Sequence, residues 1–169
     1  METTFYAQPY DLSATGFFFN RPEDYAAKAA ACWNDFGERV EEFVLQFVEG
    51  EAIDAALAEA VGLTAPHLAA FFEAVESWDD HQKLAVIIAV SECGYAFDWA
   101  ASAPEDFDVD IYEDMTLRDV AEAFVDEGLL GEIPEQLQCY LDVDAISRDL
   151  AVDYTETEIA GRRIVFRCG

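Results

Sequence analysis

The sequence predicts an α+β protein whose chain divides into three segments: an α+β segment over residues 1–62, a helical one over 63–103 and an acidic α+β one over 104–169. Aromatic, strand-like runs lie towards both ends of the chain, and the middle third repeats its apolar residues at spacings of three and four. The composition also requires a folded core. Although 36 Asp and Glu face 9 Lys and Arg, for a formal charge of −27, 53% of the 169 residues are hydrophobic and 13 are Phe. Disordered acidic chains lack such apolar content, and this length suits one or two ordinary domains or several very small ones.

In the first segment, TTFYAQPY and SATGFFFN read as strands broken at Pro9 and Gly16. RPEDYAAKAAACWND opens with Pro22 and two acids, a helix start. In EEFVLQFVEG, Phe43, Leu45 and Phe47 alternate with Val44, Gln46 and Val48, predicting a third strand and so a small antiparallel sheet. Glu51–Val61 reads as a helix ended by Gly62. The glycines are isolated and no GxxxxGK occurs, so nothing forms a phosphate loop.

In the second segment Thr64 is the expected cap of a helix with core positions Leu68, Phe71, Phe72 and Val75. Asp79 and Gln82 have capping-box spacing ahead of KLAVIIAVSECG, which is apolar nearly all round and so predicted buried. His67 and His81 each sit near a helix start without a second ligand at metal spacing, so surface or capping roles are expected. HExxH and GxSxG are absent, no His, Cys or Ser constellation converges, and neither an enzyme nor a cofactor is expected.

The third segment carries 18 acids against five arginines. In PEDFDVDIYEDM, Asp106, Asp108, Asp110 and Asp114 share one parity and Phe107, Val109 and Ile111 the other, predicting a strand with one core face and one carboxylate face. A calcium loop is excluded, because its sixth position is Ile111 instead of Gly and its twelfth Leu117 instead of Glu. Thr116 and Asp119 form a second capping box for a helix with Leu117, Val120, Ala121 and Phe124 inward and Asp119, Glu122 and Asp126 outward. Gly128 and Gly131 then reverse the chain, and Pro134 starts a short helix with an apolar stripe of Ile133, Leu137, Tyr140 and Leu141. Glu132, Glu135, Asp142 and Asp144 are left outside it. Finally Thr157, Ile159, Ile164 and Phe166 flank Ala160 and Gly161 as in a hairpin. Arg162, Arg163 and Arg167 read there as a solvated strand face, with damping of self-repulsion or pairing across a subunit interface as the other readings.

The charge restricts the partners. An acidic surface repels nucleic acid and anionic membrane, so the expected partner is a basic protein. The N-terminus shows neither a basic start nor an apolar targeting region, and the run Leu84–Val90 is too short to cross a bilayer, which together suggest a cytoplasmic protein. Cys32, Cys93, Cys139 and Cys168 are scattered without a CxxC pair, so reduced thiols are expected. Asp119, Glu122 and Asp126 would span roughly 10 Å along a helix, about one charge per 3.5 Å, against about 3.4 Å per phosphate along one DNA strand. Residues 105–158 hold 18 acids and two arginines. Over a domain roughly 26 Å across, that is one net charge per about 1.6 Å, against about 1.7 Å for duplex DNA.

YAQPYDLSATGFFF, SWDDHQKLAVIIAVSECGYAFD and GLLGEIPEQLQCYLDVDAISRDLAVDYTETEIAGRRIVFRC together resemble the ArdA antirestriction family over nearly the full length. The resemblance implies an elongated, three-domain, acidic homodimer that imitates bent B-form DNA and inhibits type I restriction–modification enzymes by occupying the DNA groove of their methyltransferase core. It also implies an origin on a mobile genetic element and a dimer interface in the last portion of the chain. The antirestriction motif corresponds to Leu129–Asp142, with Leu129, Leu130, Gly131, Glu132, Ile133, Pro134, Glu135, Tyr140 and Asp142 as its residues here; Cys139 is a departure within it. The expected partner-binding carboxylates are Asp106, Asp108, Asp110, Asp114, Asp119, Glu122, Asp126, Glu132, Glu135, Asp142 and Asp144. Two other classes compete: a halophilic enzyme, suggested by the scarcity of Lys, and an acidic adaptor or chaperone for another basic protein.

Overall fold

In the computed structural model, which describes residues 1–169, Phe5 and Ala7 turn inward from β1 (Thr4–Pro9) and start the first core. β1 pairs antiparallel with β2 (Phe17–Phe19) on one side and β3 (Phe43–Glu49) on the other, as the alternation predicts. Phe43, Leu45 and Phe47 face inward and Val44, Gln46 and Val48 are exposed. The Phe5 ring stacks on Phe19 at 5.6 Å and meets Phe47 and Phe71 edge-on at 5.2 and 5.6 Å, spacings at which aromatic pairs add to their area burial. Gly16 allows the close approach of the chain before β2: a Cβ there would lie 2.4 Å from the Ala7 carbonyl oxygen.

The helices of this unit are α1 (Pro22–Ala30), α2 (Ala52–Ala60), α3 (Leu68–Ser77) and α4 (Asp80–Ser91). Leu68 and Phe71 are buried as expected, but Thr64 does not cap. A 3-10 turn, Ala65–His67, intervenes, and the Thr64 hydroxyl lies instead 3.2 Å from His67 Nδ1. The Asp79 box is complete: Asp79 Oδ1 accepts from the Gln82 amide at 2.8 Å and Gln82 Oε1 from the Asp79 amide at 3.0 Å. α4 is buried nearly all round, and its burial includes Lys83, which the sequence left without a role. Lys83 Nζ donates to Asp54 Oδ1 of α2 at 2.7 Å and to the Val75 carbonyl at 3.2 Å. Met1–Asp106 is therefore one compact unit, with residues on both sides of position 62 sharing its core. Cys32 is a buried free thiol; Cys93 is disulfide-bonded, contrary to the expectation of reduced thiols.

The second unit, Phe107–Gly169, is an antiparallel sheet of β4 (Val109–Glu113), β6 (Arg162–Cys168) and β5 (Thr155–Ile159) in the order β4-β6-β5. Its helices are α5 (Leu117–Asp126), α6 (Glu135–Gln138) and α7 (Val143–Leu150). The hairpin turns at Ala160 and Gly161, with φ of 53° and 76°, the positive pair that matches strand twist. Val120, Phe124, Tyr154 and Val165 form the core, edged by Tyr112, Met115, Leu117 and Leu150. The whole protein is thus α+β, with seven α-helices and two three-stranded antiparallel sheets.

Three expectations for this region change. The strand foreseen from Asp106 begins at Val109, and Asp106 belongs to a 3-10 turn, Pro104–Asp106, at the end of the first unit. β4 is half-buried along its whole length and not split into core and carboxylate faces: Tyr112, of the same parity as Asp110, packs against the core, and Asp110 itself sits in register with Arg167 of β6 and turns to it. The stripe foreseen for a packed helix after Pro134 is not packed either, since α6 has four residues and Leu137 and Tyr140 are 51% and 82% exposed. The packing helix is α7, which Asp142 caps by accepting from the Ala145 amide at 3.0 Å. Cys139 is an exposed free thiol, whereas Cys168 is disulfide-bonded.

Candidate acidic interaction surface

Thr116 and Asp119 fix the start of α5, and so the direction in which its acids point. The Asp119 carboxylate accepts from the Thr116 amide at 2.7 Å and its hydroxyl at 2.8 Å, while the Asp119 amide donates to Thr116 Oγ1 at 3.1 Å. Those bonds from Thr116 hold the Asp119 carboxyl below its ordinary pKa. With Val120, Ala121 and Phe124 buried, Glu122 and Asp126 are carried to the exposed side.

Arg118 is the one base on α5, and it is engaged twice. Its Nε lies 3.1 Å from Glu122 Oε1 one turn on, and its Nη1 pairs with Asp144 of α7. The hydrogen bond to Asp144, ahead of that carboxylate's charge, raises the guanidinium pKa. Across the sheet Arg167 Nε donates to Asp110 Oδ2 at 2.9 Å, and the guanidinium lies 5.3 Å from the Tyr154 ring centroid, a cation–π distance. The bond to Asp110 raises the Arg167 pKa. Arg162 lies 3.7 Å from Glu113. The arginines of the last strand thus include pairs within the chain.

The predicted carboxylates therefore fall into two groups. Asp110, Glu122 and Asp144 are paired with arginines, while Asp119 and Asp142 cap helices. Asp106 accepts from the Ala103 amide at 2.8 Å in the first unit. Asp108, Asp114, Asp126, Glu132 and Glu135 are exposed and have neither an ion pair nor a side-chain hydrogen bond. Of these, Asp126 and Glu132 line an open groove of about 420 Å³, together with Val125, Gly131, Ile133 and Pro134.

Of the motif residues, all are exposed except half-buried Ile133. Leu129 and Leu130 are 62% and 50% exposed, so the surface combines carboxylates with large apolar side chains. That mixture was not foreseen in the sequence, although two adjacent leucines between glycines cannot both follow one helical stripe. Nor was the Arg118 clamp foreseen, although the i, i+4 spacing to Glu122 signals it. No three His, Cys, Asp or Glu side chains anywhere in the protein are placed to hold a metal ion, and both histidines lie in the first unit. No helix is long and apolar enough to cross a membrane.

The arrangement is suited to holding cationic groups against fixed carboxylates beside an apolar edge. In comparison with known proteins, no family model matches this chain and no curated protein matches it.

Proposed function

We propose that the protein is an antirestriction protein of the ArdA kind, an acidic mimic of DNA that competes for the DNA-binding groove of type I restriction–modification enzymes. The observation that carries this reading is the stretch 119–147, which holds eight Asp and Glu, all exposed, and no Lys or Arg. A restriction enzyme holds DNA largely by Lys and Arg contacts to phosphate, a term that ignores base sequence. Carboxylates fixed at comparable density take those contacts while presenting no base to read, methylate or cut. Several of them are pinned by α5, α7 and the Arg118 clamp, so little freedom is lost when a partner binds. Inhibition is then competitive, with each carboxylate adding little alone.

The same reading carries further proposals: an elongated chain in which segments 1–62 and 63–103 share one core and 104–169 follows as the acidic segment, a homodimer formed through that last segment, and a cytoplasmic site of action. Titration against a type I methyltransferase core, in competition with its DNA target across a salt series, tests the central claim. Strong, DNA-competitive binding that weakens steeply with salt supports mimicry, and absence of binding by well-folded protein removes it.

A second reading is favoured by the exposed Leu129, Leu130 and Tyr140, because phosphate mimicry needs no apolar contact whereas exposed apolar patches mark protein interfaces. The protein would then be an acidic adaptor or chaperone for another basic, nucleic-acid-binding protein. Binding to such a protein with none to the type I enzyme would select it.

A further inference from the structure

Two loops of the first unit, residues 10–15 and 33–39, are stitched together at a place the acidic-mimic reading does not use. The Asp11 carboxylate accepts from the Ser13 amide at 2.9 Å, the Ser13 hydroxyl at 2.8 Å and, across the gap, Asn34 Nδ2 at 2.8 Å. Asn34 Oδ1 accepts from the amides of Phe36 and Glu38 at 3.0 and 2.8 Å, and an isolated β-bridge joins Trp33 to Arg39. The Tyr10 amide ties the first loop to the Glu42 carbonyl at 3.1 Å. This bonding orders the loops, yet it does not bury their large side chains. Tyr10 is 65% exposed, Leu12 96%, Trp33 58% and Phe36 82%.

We propose that these loops form a preorganised docking platform for a partner protein, one that presents an apolar segment rimmed by Lys or Arg. Trp and Tyr held in place are the residues that dominate interface energies, and exposed apolar patches of this kind mark interaction sites. Charge selects the occupant. Asp35, Glu38, Glu41 and Glu42 are exposed around the platform, with Arg39 the one base among them. A second copy of this chain would set those carboxylates against themselves, and anionic lipid or nucleic acid would meet the same repulsion. A cationic, apolar-centred protein segment satisfies both components. This inference does not depend on the DNA-mimic reading, and it fails or stands separately from it.

The test uses the full chain and two synthetic helical peptides of equal positive charge, one of Lys, Leu and Trp and one of Lys, Gln and Ala. Binding is followed by amide chemical shifts of the protein. The apolar cationic peptide is expected to shift residues 10–12 and 33–39, and Leu12→Ser and Phe36→Ser are each expected to weaken it at least fivefold. The apolar-free peptide is expected to bind weakly and to be unaffected by either variant. Circular dichroism unchanged in both variants excludes unfolding, since neither side chain is part of the core. Equal binding of the two peptides, indifference of the apolar peptide to both variants, or shifts mapping elsewhere would each overturn the proposal. So would loss of a wild-type dimer in Phe36→Ser, which would assign the platform to a second copy.

Discussion

Lys83 Nζ lies 2.7 Å from Asp54 Oδ1 with 7% and 3% of the two side chains exposed, joining α4 to α2 inside the first core. Removing one partner of a buried pair leaves the other charge uncompensated, which costs about 3–5 kcal/mol. Lys83→Met and Asp54→Leu should each lower the unfolding free energy, measured by urea titration, by amounts in that range. The double variant should recover most of the loss, because apolar replacement of a buried pair is often neutral or stabilising. A double variant no more stable than either single would show that the pair itself is not the issue.

The pair also marks the limit of what the sequence discloses. The strands, the capping boxes at Asp79 and Thr116 and the hairpin at Ala160–Gly161 were legible because each depends on residues a few positions apart. Lys83 and Asp54 are 29 positions apart, and an isolated Lys at the start of an apolar helix normally keeps its charge in water. The same reason explains β4: period two was present in the letters, but Arg167, 57 positions away, drew Asp110 out of the free set. The stripe after Pro134 misled for another reason. Spacing at three and four is necessary for a packed helix but not sufficient, and α6 ends after four residues. Of the candidate site, the charge and the caps were readable, whereas which carboxylates stay unneutralised was not.

That division ranks the carboxylates. Asp126, Glu132 and Glu135 have no cation beside them, so they are the ones available to a basic partner. Exposed ion pairs are worth about 0–1 kcal/mol each, so Asp126→Asn, Glu132→Gln or Glu135→Gln should each weaken inhibition of type I cleavage by no more than about fivefold. The triple variant should weaken it by one to two orders of magnitude, roughly, on the same figure. Complete loss from one substitution, at full folding, would count against distributed contacts.

Arg118→Ala gives the converse. It frees Glu122 and Asp144 and raises the local negative charge, at the expense of the clamp between α5 and α7. Stability should fall only modestly, as for exposed ion pairs. Binding to a basic groove at low salt should be unchanged or tighter, with a steeper salt dependence. A large loss of binding without unfolding would mean that fixed geometry outweighs charge.

The caps predict an acid limb. Asp119 is held below its ordinary pKa by Thr116, and Asp11 by the hydrogen bonds from Asn34 and Ser13. In the window between each depressed folded value and the unfolded value of about 3.9, the unfolded chain binds more protons. Stability from these groups is therefore complete above that unfolded value and lost as pH falls through the folded ones. Amide exchange in the first turn of α5 should accelerate through that window, and Asp119→Asn should flatten the local response while leaving the first unit's response in place.

The hairpin turn offers a gain instead of a loss. Ala160 has φ of 53° and Gly161 φ of 76°. A left-handed conformation costs an alanine about 1–2 kcal/mol, a cost that Asn reduces through its short polar side chain. Ala160→Asn would place Asn-Gly, the favoured pair for this turn, between β5 and β6. The expected result is a rise in stability of about 0.5–1 kcal/mol. It should act on the second unit, whose core includes Val165 of β6, so amides of β5 and β6 should exchange more slowly while those of β1 to β3 do not change. A fall in stability would mean that the Ala160 methyl group contributes packing which outweighs the strain of its backbone.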